Sequence, residues 1–151
     1  MLDSALALEP EFYPAYAYRA RLRLQLGEPA EARRDAETAA RLGRDDLVTG
    51  GAILALTAAR VGDTVEARSR LEPVLAQLRQ TARLGARPAV FAGLALVAIG
   101  DGERALGLLQ RAQPQGGRLW FELRAPELDP VREDPRFQRL VEESRPPGAP
   151  R

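Results

Sequence analysis

The chain contains no cysteine, no histidine, no lysine and no asparagine. Without cysteine there is no disulfide framework, no thiolate nucleophile and no thiolate metal ligand. Without histidine the commonest general base and the commonest metal-binding side chain are missing. Without lysine there is neither a Schiff-base amine nor a phosphate-loop lysine, and no glycine-rich loop of that kind occurs. No apolar run approaches the ~20 residues that span a bilayer. Met1–Pro10 lacks the basic start and long apolar core of a signal peptide. The net charge is +1, from 22 arginines and 21 acidic residues, so nothing attracts nucleic acid or anionic lipid in bulk. The arginine excess accompanies abundant alanine, glycine and proline, a pattern of GC-rich coding rather than of function. The paired carboxylates Asp45-Asp46 and Glu142-Glu143 are helix neighbours that point about 100° apart, so they do not converge on one substrate or metal. No catalytic residue, metal ligand or cofactor is expected, and the chain is read as not an enzyme. Its default location is the cytoplasm.

What is present is a repeat. A small residue is followed seven positions on by glycine, and five further by alanine: Ala20–Gly27–Ala32, Ala55–Gly62–Ala67 and Gly93–Gly100–Ala105. A period in the mid-thirties without strand signals marks stacked helix–turn–helix units. Each glycine follows an apolar stretch ending in Leu26, Val61 or Ile99, where a left-handed residue stops a helix without a Cβ penalty. Glu28, Asp63 and Asp101 come next, placed to meet the positive end of the following helix, and Pro29 suits a first helical turn. Apolar residues then recur at helical spacing, as in Ala67, Leu71, Val74, Leu75 and Leu78. The spacing predicts helix pairs at 12–26 with 29–42, 46–61 with 64–83, and 87–99 with 102–113. The small residues let antiparallel helices approach closely.

This skeleton resembles a tetratricopeptide repeat (TPR) array over residues 2–115. The best match runs Tyr16-Ala17-Tyr18-Arg19-Ala20, then Leu26-Gly27-Glu28-Pro29-Ala30-Glu31-Ala32, then Ala36 and Ala39. Ala5–Pro10 looks like the end of a preceding repeat. Departures are Arg23, where the family packs an aromatic, and Gly51 and Ala89, which replace the large residue supplied by Tyr16. The resemblance implies an all-α, superhelical solenoid of about three helix pairs. Its divisions are a half-repeat at 1–10, units at 11–44, 45–84 and 85–117, a cap at 118–144 and a disordered tail at 145–151. Trp120 and a helix from Pro135 to Ser144, started by Asp134-Pro135, supply the cap. Leu128–Phe137 resembles a segment that closes TPR arrays in bacterial multidomain signalling proteins. By that resemblance the chain is the C-terminal array of a larger bacterial protein.

The resemblance also implies function. The first helix of each TPR pair lines a concave face, which here places Ala17, Arg21 and Gln25, then Ala52, Leu56 and Arg60, then Val90 and Leu94. That surface is apolar with an arginine rim, suited to a helix or extended peptide of a partner protein with acidic flanks. Two readings stay open. One is a protein-interaction scaffold using this face. The other is a structural or self-associating module in which the groove is filled internally, with the N-terminal half-repeat joining two copies. The lysine- and asparagine-based clamp of some TPR domains does not carry over. Phe12, Tyr13, Tyr16 and Tyr18 interleave with Arg19, Arg21 and Arg23, but a helix spreads them around its circumference, which disfavours nucleic acid.

Overall fold

The computed structural model describes residues 1–112 and 117–150. Its helices are separated where the sequence places left-handed glycines. Gly27, Gly62 and Gly100 have φ of 77°, 86° and 81°. At each, the same two bonds close the helix. The N–H of Glu28 reaches the carbonyl of Arg23 while that of Gly27 reaches Leu24. The pairs at the next two turns are Asp63 to Ala58 with Gly62 to Ala59, and Asp101 to Leu96 with Gly100 to Val97. This is the Schellman closure, which satisfies carbonyls that a helix end otherwise leaves bare. The next helix starts on a carboxylate in two of the three cases: Asp63 accepts from the N–H of Glu66 and Asp101 from that of Arg104. Glu28 makes no such bond, and Pro29 opens its helix instead.

The elements are α1 (Leu2–Leu8), α2 (Tyr13–Gln25), α3 (Pro29–Leu42), α4 (Leu47–Arg60), α5 (Thr64–Gln80), α6 (Ala86–Ala98), α7 (Gly102–Gln110), α8 (Arg118–Glu122) and α9 (Pro135–Ser144), with a 3₁₀ helix at Pro126–Val131. Among the described residues the one extended pairing is an isolated bridge between Leu84 and Ala112. The expected pairs therefore match α2–α3, α4–α5 and α6–α7, except that α5 ends at Gln80 and α7 at Gln110, each short of the expected bound. At the end of α5 Arg111 donates to the carbonyls of Leu78 and Thr81, closing the helix early. Gln113, the expected end of the sixth helix of that series, lies outside the described residues.

Each pair packs on the next, with α4 touching α2, α3, α5 and α6. Ala20, Ala32, Ala55, Ala67 and Ala105 are all fully buried. At Gly93 a Cβ would stand 3.3 Å from Leu109, so the third pair is as close as the small residue permits. The large residue missing at Gly51 is explained the same way, because a Cβ there would fall 2.6 Å from a methyl of Val74. Arg23, where the resemblance led one to look for an aromatic, instead shares Asp35 with Arg19 at 2.8 Å each. Second helices are tied to one another by Arg33–Glu66, Glu72–Arg104 and, reaching α9, Glu103–Arg136.

After α7 the chain turns back. Leu119, Leu123 and Leu128 are completely buried and belong to the same apolar cluster as the helix pairs. Phe137 and Leu140 of α9 close that cluster, with Asp134 capping the helix as expected. Arg145 bonds to Glu142, and Pro146 lies against Gly117, so the stretch expected to be disordered begins as packed chain. Arg151 lies outside the described residues. No helix among those described is long and apolar enough to cross a membrane.

Candidate partner-binding face

The eight residues expected to meet a partner come from α2, α4 and α6; the returning C-terminal segment bonds to Arg21 and Gln25 and packs on α6, which carries Val90 and Leu94. Ala17, Ala52, Leu56, Val90 and Leu94 are buried at 2 % exposure or less. They belong to the apolar cluster of the molecule, which Leu119, Leu123 and Leu128 join where α8 and the 3₁₀ helix pack on α6; Ala17, Ala52 and Leu56 lie on α2 and α4, which pack on each other and on their neighbouring helices. Arg60 stands apart, exposed at the end of α4.

Arg21 is the centre of the polar part. Its guanidinium donates through Nη1 to Glu122 at 2.7 Å and through Nε to Glu127 at 3.0 Å. Gln25 donates to the same Glu127 oxygen at 2.9 Å, and the Tyr18 hydroxyl reaches Glu122 at 3.4 Å. The side chains of Arg21 and Glu127 are only 11 % and 9 % exposed, so water screens this pair weakly. Burial acts against the charge on Arg21, yet the bonds from Glu127 and Glu122 outweigh it and raise its pKa. Burial likewise pushes the Glu127 carboxyl up, but Arg21 outweighs it and holds that group below its ordinary value. The second oxygen of Glu127 is buried without a partner, an uncompensated cost of the arrangement. Beneath, the rings of Tyr18 and Phe91 lie 5.3 Å apart, joining α2 to α6 directly.

Glu122, Glu127 and Tyr18 were not among the expected site residues. A signal for the two carboxylates exists: they flank Leu123 and Leu128, giving residues 118–131 the leucine-plus-acid chemistry expected of a partner. Periodicity cannot show which groove such a segment fills.

A cleft of about 760 Å³ lies elsewhere, between α3, α4 and α5. Its floor is Gly50, Gly51 and Leu54, and its edges include the exposed Val65 and Leu47. Among the described residues no group of three histidines, cysteines or carboxylates is placed to hold a metal ion. The arrangement offers apolar burial and ion pairing. Comparison with protein-family models, curated proteins and solved structures gives no match.

Proposed function

We propose that this chain is a non-catalytic, TPR-like helical module that serves a structural or joining role within a larger regulatory protein, its concave face filled by its own C-terminal segment. The observation that carries this reading is Arg21, half-enclosed between Glu122 and Glu127 while Leu119, Leu123 and Leu128 are buried alongside. The segment supplies both halves of what an acidic-flanked peptide would bring. Displacing it re-exposes three leucines at about 1.5–3 kcal/mol each, so a partner peptide of ordinary affinity does not compete for this face. The absence of histidine, cysteine and lysine supports the non-catalytic part.

Hydrogen exchange read by mass spectrometry tests the reading. Amides of Arg118–Val131 are expected to exchange as slowly as those of α4 and α6, because all would open only on global unfolding. Exchange of that segment at the unfolded rate, with α4 and α6 still protected, would return the groove to a partner and end the proposal.

A further inference from the structure

We draw no further inference here: the strongest candidate, the apolar cleft of about 760 Å³ between α3, α4 and α5 with its floor of Gly50, Gly51 and Leu54, is an unpartnered face, and nothing in the structure shows what covers it.

Discussion

The two ends of the helix stack have been finished differently. At the C-terminal end α8, the 3₁₀ helix and α9 turn back over the last pair, burying Leu119, Leu123, Leu128 and Phe137 and presenting Gln138, Arg139, Glu142 and Glu143 outward. At the N-terminal end α1 contributes one buried leucine, Leu6, while Leu8, Leu22 and Leu26 face solvent. The difference shows that an apolar stripe at helical spacing says only that something covers it. At one end the cover comes from the stretch of the same chain that follows the last pair. At the other, Leu8, Leu22 and Leu26 stay exposed among the described residues.

The comparison can be broken most sharply in the cap. Leu128→Ala, at a site with no exposure, should cost about 2–5 kcal/mol, read as a lowered thermal midpoint and denaturant midpoint. A cost below about 1 kcal/mol would mean that the segment is not packed as described. Next in size is Arg21→Ala, which leaves the enclosed Glu127 carboxylate without its cation. About 3 kcal/mol is expected, together with faster exchange in Arg118–Val131, and Arg21→Lys should recover only part because one ammonium cannot reproduce the two-sided contact.

A milder probe is acid. Glu127 and Asp46 are held below their ordinary values of 4.5 and 3.8, and Asp134, beside Arg136, at about 2. Groups lowered on folding add stability that is complete above the unfolded value and is lost as pH falls through the folded one. Stability should therefore hold level near neutral pH and decline from about pH 4.5 toward 2. The Arg21→Ala variant should show a shallower decline, because its Glu127 no longer has a lowered value to lose. Smallest of all is Leu22→Ser, expected to alter monomer stability by no more than about 0.5 kcal/mol while Leu128→Ala unfolds far sooner. Equal effects at the two leucines would erase the contrast between the ends.

Much of this was written in local sequence. Gly27, Gly62 and Gly100 mark helix stops because only a left-handed residue completes the two closing bonds, and that requirement involves six consecutive residues. Ala20 and Ala32 mark a close helix crossing for a similarly local reason. That Ala17, Arg21 and Leu94 share positions on the first helices of their pairs was legible from helical phase. Their cover was not. Whether Arg21 meets a partner's carboxylate or Glu122 and Glu127 depends on where a segment beyond Gly117 returns, and no periodicity carries that information. Arg23, a departure from the family pattern, had a partner that was hidden as well: Asp35 lies on the next helix, and only in three dimensions does a buried acid stand where aromatic packing was looked for.

The long-range bonds of Tyr18, Arg21 and Gln25 also alter how the chain must fold. Helix pairs that touch only their neighbours can form or fray one at a time, starting from either end. Here the second helix is bonded to residues 101 to 106 positions later, so the first pair and the last segment share one set of contacts. Fraying from the C-terminal end removes the cover from α2 and α6 together, and the stack loses its neighbour-by-neighbour character. Such a chain melts as a single cooperative unit and waits, in refolding, on the closure of a loop of about a hundred residues.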